Sequence, residues 1–220
     1  MCIRDRLITA LFSGLDNRGG DAWGYFNGEE VKKAPLSFES FLVAMQMINF
    51  RIEELFSGKP LILGHTRFAT KGLPQENNNN HPLEGESWVI SHNGQIYNDA
   101  YIKRQFGDLK DFPEVDSYAI LLLLESQESP ERAFRELSQL TGTIAIWAYY
   151  KPDHRLFLYR NSNPLDIAIT KRGIWFASEA AYIPIKQPAF SLPPHEVYEV
   201  VNGQLRSRGL IYTNNLWTSP

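Results

Sequence analysis

Residues 64–72 read Gly-His-Thr-Arg-Phe-Ala-Thr-Lys-Gly, and residues 91–98 read Ser-His-Asn-Gly-Gln-Ile-Tyr-Asn. Each segment follows a short apolar run, at residues 60–63 and at residues 88–90. Apolar runs that end in Gly, Asn and His are typical of buried strands that open into loops. Because strand ends often present ligand-binding groups on a rigid support, the two segments predict a binding site for a small polar molecule.

The two segments carry complementary chemical groups. Arg67 offers a fixed cation and Thr70 a hydroxyl, whereas Asn93 offers a side-chain amide beside Gly94, whose backbone can approach a ligand closely. Together these groups can hold a small zwitterion and stabilise an oxyanion.

Composition excludes several classes of protein. With 22 basic and 25 acidic residues the net charge is -3, which argues against a nucleic-acid-binding surface. The longest apolar stretch, residues 119–124, is far too short for a membrane span, and no secretory signal pattern opens the chain. A single cysteine excludes an intramolecular disulfide framework. The sequence therefore predicts a cytoplasmic protein without a nucleic-acid or membrane partner.

The order of predicted elements indicates the fold class. Periodicity and turn residues predict helices over residues 7–17, 37–57, 116–126 and 130–140, strands over 21–27, 143–150, 156–159, 167–170 and 174–177, and a closing hairpin over 196–201 and 204–208. Helices dominate the first two thirds of the chain and antiparallel-looking strands the last third. That order favours a layered α+β architecture over a doubly wound parallel sheet.

Five motifs occur along the chain in this order: residues 18–24, residues 64–72, Asn80-His81-Pro82, His92-Asn93-Gly94 and Val115-Asp116-Ser117. Together they resemble the class II glutamine amidotransferase domains of the N-terminal-nucleophile hydrolases. The resemblance extends from about Leu7 to about Gly203. It implies a four-layer αββα sandwich of two mainly antiparallel sheets. It also implies a glutaminase that hydrolyses the side-chain amide of L-glutamine, without a cofactor, and passes ammonia to an acceptor that a separate synthase subunit can supply.

The resemblance also implies a role for each site residue. Arg67 would pair with the α-carboxylate of glutamine, Thr70 would add a hydroxyl at the same end, and Asp116 would accept from the α-ammonium. The Asn93 side-chain amide and the Gly94 backbone N–H would form the oxyanion hole.

Each of these residues also has a simpler interpretation. Arg67 alone fits a surface or ion-paired arginine, Asp116 fits a helix cap, and Asn93-Gly94 is a common turn dipeptide. The histidines at positions 65, 81 and 92 show neither an i,i+4 pair nor a carboxylate at ligand spacing, so no metal site is predicted. Only the joint order of the motifs favours the functional interpretation.

The nucleophile departs from the family pattern, in which a cysteine that begins the mature chain precedes a glycine and an apolar strand. Removal of Met1 would expose Cys2, whose α-amino group, with a pKa of about 7.7–8.0, could serve as the base. The next residues are Ile-Arg-Asp-Arg, however, and such charges cannot fill an interior strand without large desolvation costs.

Two interpretations of this N-terminus compete. In one, a divergent enzyme uses Cys2 from a shortened start. In the other, which the sequence favours, residues 1–6 are an atypical leader in place of the native first strand, and residues 7–220 form a single amidotransferase domain.

Three functions follow from these interpretations. The first is a glutamine amidotransferase domain that uses a cysteine thiol. The second is another N-terminal-nucleophile amidase with a different substrate, and the third is a catalytically inactive glutamine-binding or scaffolding domain. Arg67 together with Asp116 favours an amino acid with a free carboxylate and amine, hence glutamine.

Overall fold

The computed structural model describes residues 3–171 and 173–213, except for the side chains of Ile3, Arg4 and Glu53. The described chain divides into two units. The first holds residues 3–82 and 181–186, and the second holds the rest, from residue 83 onward.

The first unit is a small antiparallel sheet with two helices. Its elements are α1 (Ile3–Asp16), β1 (Ala22–Phe26), β2 (Val31–Ala34), α2 (Phe38–Met47) and β3 (Leu63–Arg67), with short 3₁₀ turns at Ile52–Leu55 and Asn77–Asn79. The strand order is β2-β1-β3, and both pairs are antiparallel.

An aromatic cluster forms the core of the first unit. The ring centroid of Phe12 on α1 lies 5.0 Å from that of Phe38 and 5.8 Å from that of Phe56. Its ring also meets Trp23 of β1 edge-on, with the two centroids 5.6 Å apart. Large buried rings contribute most of the apolar area in such a core. A Cβ added at Gly64 would lie 2.0 Å from the Phe12 ring, so a glycine on β3 is what lets α1 pack directly against the sheet.

The second unit has two antiparallel sheets and three helices. Its elements are β4 (Leu83–Glu84), β5 (Trp88–Ile96), α3 (Asp99–Arg104), α4 (Tyr118–Glu125), α5 (Pro130–Glu136), β6 (Gly142–Tyr150), β7 (Arg155–Arg160), β8 (Asp166–Thr170), β9 (Gly173–Ala177), β10 (Phe190–Ser191), β11 (Glu196–Val201) and β12 (Gln204–Leu210). The larger sheet has the order β12-β11-β7-β6-β5-β4 and the smaller one β10-β8-β9.

The core of the second unit lies between the helices and one face of the larger sheet. Alternate residues of β5, Trp88, Ile90 and Ile96, are fully buried there. They belong to one apolar cluster with side chains of β6 and β7 and of all three helices, including most of the apolar α4. The expected α+β class with mainly antiparallel sheets is thus confirmed.

Several elements differ from the sequence prediction, which did not include the short elements β4, α3 and β10. Helix α1 begins at Ile3 rather than Leu7, and α2 ends at Met47 rather than Ser57, because Asn49 takes a positive φ of 54° that no helix continues. Strand β2 was not predicted, since Lys32 and Lys33 interrupt its apolar pattern. The predicted strands after residue 142 and the closing hairpin are confirmed. Within the described ranges, no helix is long and apolar enough to cross a membrane.

Candidate functional site

Arg67 is the last residue of β3 and is almost fully buried, at 3% exposure. The prediction that it lies in a loop was wrong, because the ladder with β1 continues through Arg67 opposite Ala22. Its guanidinium donates to Asn80 Oδ1 at 2.8 Å and to the carbonyls of Lys71 and Gly72 at 2.5 and 2.9 Å. The planar five-donor group therefore organises the loop that follows it.

Asp21, the residue before β1, anchors the same loop. Its carboxylate accepts from the Ala69 amide at 2.7 Å, and its own amide donates to the Arg67 carbonyl at 3.0 Å. The two hydrogen bonds of Asp21 thus tie the start of β1 to the loop that follows β3. Thr70 lies exposed on this loop, so the first unit presents Arg67 and Thr70 from one anchored segment.

Asn93 and Gly94 lie inside β5, opposite Ala145 and Ile144 of β6, rather than in the loop that was predicted. The strand continues because Gly94 takes a φ of 149°, a conformation that few residues other than glycine adopt. An added Cβ at Gly94 would lie 1.9 Å from the Thr143 carbonyl oxygen. Glycine is thus the residue that the close β5–β6 approach requires.

The alternation of ladder bonds sets the direction of the Gly94 amide. At the two ends of the β5–β6 pair, Lys151 donates to the Ser87 carbonyl and Tyr97 to the Thr141 carbonyl, both at 2.8 Å. Odd-numbered residues of β5 therefore bond to β6, and even-numbered ones direct their N–H groups to the other edge. The Gly94 N–H points away from β6.

Asp116 lies on that outer edge of β5. Strand β4 pairs only with residues 89 and 90, and beyond it the Ile96 amide donates to Asp116 Oδ2 at 2.6 Å. Because Ile96 and Gly94 are two residues apart, their N–H groups point the same way. The buried Asp116 carboxylate and the Gly94 amide therefore share one edge, and the Asp116 carboxylate bonds to β5 rather than capping α4.

The Asn93 side chain lies on the face of the sheet opposite the helices, where it is half-buried. Asn163 fixes its backbone, donating from Nδ2 to the Asn93 carbonyl at 2.8 Å. In the part of the chain that the structure describes, no protein group bonds to the Asn93 side-chain amide. Its two N–H donors are available to a ligand.

His92 connects β5 to the start of α4. Its Nε2 lies 3.0 Å from the Thr143 carbonyl, and its Nδ1 lies 2.8 Å from Ser117 Oγ. A carbonyl can only accept, so Nε2 carries the proton and Nδ1 accepts from Ser117. Burial lowers the pKa of His92, while the negative charge of Asp116 and the Thr143 hydrogen bond act in the opposite direction. The neutral imidazole of His92 thus ties Ser117, the residue after Asp116 at the start of α4, to strand β5.

The lowered pKa of His92 gives a pH dependence of stability. Below a pH of about 6.5 the unfolded histidine takes up a proton that the folded one resists, so the free energy of unfolding falls with falling pH. We expect His92→Gln to flatten this dependence by up to about 1.4 kcal/mol per pH unit. Urea denaturation of the wild type and of His92→Gln between pH 5 and 8 measures the free energy of unfolding at each pH. If the two proteins lost stability in parallel as the pH fell, the lowered pKa of His92 would not be the cause.

Cys2, the predicted nucleophile, lies outside the described residues. The remaining predicted residues fall into two groups: Arg67 and Thr70 in the first unit, and Asn93, Gly94 and Asp116 in the second.

Comparison with known proteins identifies the family. The model of the glutamine amidotransferase domain family matches residues 65–184, more than half of the chain. The chain is 29% identical over 229 residues to the glutamine–fructose-6-phosphate aminotransferase (isomerizing) of Sulfolobus acidocaldarius, with 98% of this chain and 35% of that protein covered. It is 32% identical over 197 residues to the enzyme of the same name from Sulfurisphaera tokodaii, with 83% and 32% covered. The chain thus spans about a third of the length of these relatives.

A solved structure shows the fold. Glutamine phosphoribosylpyrophosphate amidotransferase from B. subtilis, complexed with ADP and GMP, superposes with a TM-score of 0.72 at 19% identity, covering 93% of this chain and 46% of that one. This likeness confirms the predicted fold of the N-terminal-nucleophile hydrolase type. The chain belongs to the class II glutamine amidotransferase domain family.

Proposed function

We propose that this domain hydrolyses the side-chain amide of L-glutamine to glutamate and ammonia. The observation that carries the proposal is the outer edge of β5, where the buried Asp116 carboxylate accepts from the Ile96 amide, two residues along the strand from the Gly94 N–H. Such an edge supplies an oxyanion donor next to an acceptor for an α-ammonium, as the reaction requires.

The second unit would stabilise the reacting end of the substrate. The Gly94 N–H and the Asn93 side-chain amide would donate to the oxygen that becomes negative when the amide carbonyl is attacked. Asp116 would hold the α-ammonium through a charge-assisted hydrogen bond, while Oδ2 keeps its bond to Ile96.

The first unit would bind the α-carboxylate. Arg67 keeps its positive charge at every accessible pH, and its anchored loop carries the exposed Thr70 hydroxyl. A salt bridge from Arg67 would require a free α-carboxylate in the substrate.

The attacking group would be the Cys2 thiolate, with the α-amino group as base. Attack forms a carbon–sulfur bond and a tetrahedral oxyanion, and collapse of that intermediate expels ammonia, which takes the proton from the base. Water then hydrolyses the thioester to release glutamate and restore the thiol. Ammonia would pass to an acceptor domain or subunit, since relatives of this chain are about three times as long.

A second candidate is a glutamine-binding domain without turnover. It is favoured by α1, which begins at Ile3, immediately after Cys2, and is not an apolar strand. In such a domain the binding groups would remain and the thiol would not reach the substrate.

Treatment with a glutamine analogue that carries an electrophile at the γ-position, followed by mass spectrometry, separates these candidates. Under the proposal Cys2 carries the adduct, L-glutamine protects it, and the untreated protein releases glutamate. Binding of L-glutamine without an adduct from the analogue would support the second candidate, and the absence of both binding and adduct would contradict the two candidates together.

A further inference from the structure

Lys103 of α3 is a buried cation, with 3% exposure. Its ammonium donates to three successive backbone carbonyls, those of Pro113 at 2.9 Å, Glu114 at 3.2 Å and Val115 at 2.9 Å. One helical turn earlier, Asp99 Oδ2 lies 3.3 Å from the same nitrogen. The three N–H donors of the ammonium thus meet a full set of oxygen atoms.

This arrangement constrains the backbone just before Asp116. A buried charge is tolerated only when it is paired and hydrogen-bonded, so the three carbonyls must stay turned toward Lys103. Their convergence on one nitrogen fixes the path of residues 113–115. The next residue along that path is Asp116, whose carboxylate accepts from the Ile96 amide on β5.

We propose that Lys103 is a positioning residue for glutamine recognition. It holds the segment 113–115 so that the Asp116 carboxylate stands at the outer edge of β5, where it meets the α-ammonium of the substrate. The inference rests on the proposed function, in which Asp116 accepts from that ammonium. Asp116 is then held from two sides, by the Ile96 amide and by the segment that Lys103 anchors.

A purely structural role and a positioning role differ in ligand selectivity. General loss of order lowers the affinity of the site for every ligand, whereas displacement of Asp116 lowers the affinity only for ligands that carry an α-ammonium. Glutaramic acid, which is glutamine without its amino group, keeps the carboxylate and the side-chain amide. The ratio of the two affinities therefore reports on Asp116 alone.

The test is calorimetric binding of L-glutamine and glutaramic acid to the wild type and to Lys103→Met. We expect glutamine to bind at least about tenfold more weakly to the variant, because the charged hydrogen bond between Asp116 and the α-ammonium is lost. The affinity for glutaramic acid should stay unchanged. Arg155→Met is the matched control, since it breaks a different, partly buried ion pair of the same unit, with Glu199 at 2.8 Å. It should lower stability without changing the affinity ratio. An unchanged ratio in Lys103→Met would overturn the inference and leave the proposed function standing.

Hydrogen exchange at the Ile96 amide gives a second measurement that needs no ligand. Lys103→Arg keeps the charge opposite Asp99, but a planar guanidinium cannot direct three donors to the same carbonyls, so the variant can fold with Asp116 displaced. We expect faster exchange at Ile96 in both Lys103 variants and wild-type exchange in Arg155→Met. If the wild type bound neither compound, the proposed function would fail. Wild-type protection of Ile96 in the Lys103 variants would overturn the positioning inference itself.

Discussion

Replacement of Asn93 by alanine is expected to lower kcat for glutamine hydrolysis by about 10²- to 10³-fold, with KM close to the wild-type value. An oxyanion-hole donor acts on charge that develops only in the transition state, so its loss slows the reaction without weakening substrate binding. Steady-state measurement of glutamate release gives both constants.

The structure explains why Asn93 can be tested without unfolding the protein. Its side chain is half-buried on the face of the sheet away from the helices, and its backbone keeps the bond from Asn163 when the side chain is shortened. Truncation therefore leaves no buried polar partner of Asn93 unsatisfied within the described residues.

Asn98→Ala is the matched control. This nearby asparagine has a structural role, since it accepts from the Thr141 amide at 2.9 Å and donates to the Gln139 carbonyl at 2.8 Å. We expect Asn98→Ala to lower stability and leave kcat nearly unchanged. A kcat close to wild type in Asn93→Ala would remove Asn93 from the oxyanion hole.

Much of the fold could be predicted from local patterns, because strong apolar alternation and turn residues carry that information. Strands β6 to β9 and the closing hairpin lie where the sequence indicates. Strand β2 could not be predicted, since Lys32 and Lys33 give it no apolar face and only pairing with β1 makes it a strand. The end of α2 depends on the positive φ of Asn49, which residue type alone does not specify.

The residue types of the site could be predicted, but their local structure could not. Asn-Gly is a common turn signal, and at Asn93-Gly94 it is overridden by pairing with β6, in which the partners Ala145 and Ile144 lie about fifty residues further along the chain. That same pairing directs the Gly94 amide to the edge that Asp116 occupies. Local sequence cannot show which edge of a strand is left open.

Lys103 was not predicted because its local pattern is that of a surface ion pair. Asp99 and Lys103 have the i,i+4 spacing of exposed helix pairs. Their burial follows from the segment 113–115, which folds over the end of α3 and whose carbonyls have no signature in the sequence.

Replacement of Gly94 by alanine is expected to lower the free energy of unfolding by about 4 kcal/mol. Two effects add. The φ of 149° is strained for any residue with a Cβ, and the new methyl group would lie 1.9 Å from the Thr143 carbonyl oxygen and 2.6 Å from His92 Nε2. Since the Thr143 carbonyl already accepts from His92 Nε2, the clash would also break that hydrogen bond between β5 and β6. Urea denaturation followed by tryptophan fluorescence measures the loss.

Gly173→Ala separates the two effects. Gly173 also has a strained φ, of 137°, but an added Cβ there would meet nothing within 4 Å. Conformational strain alone should destabilise this variant by about 1–2 kcal/mol. The difference between the two variants then measures the close approach of β5 and β6 at Gly94. Equal losses would mean that the Thr143 carbonyl moves aside at little cost. The Gly94 N–H would in that case not be held firmly enough to serve as a preorganised oxyanion donor, and the proposed hole would rest on Asn93 alone.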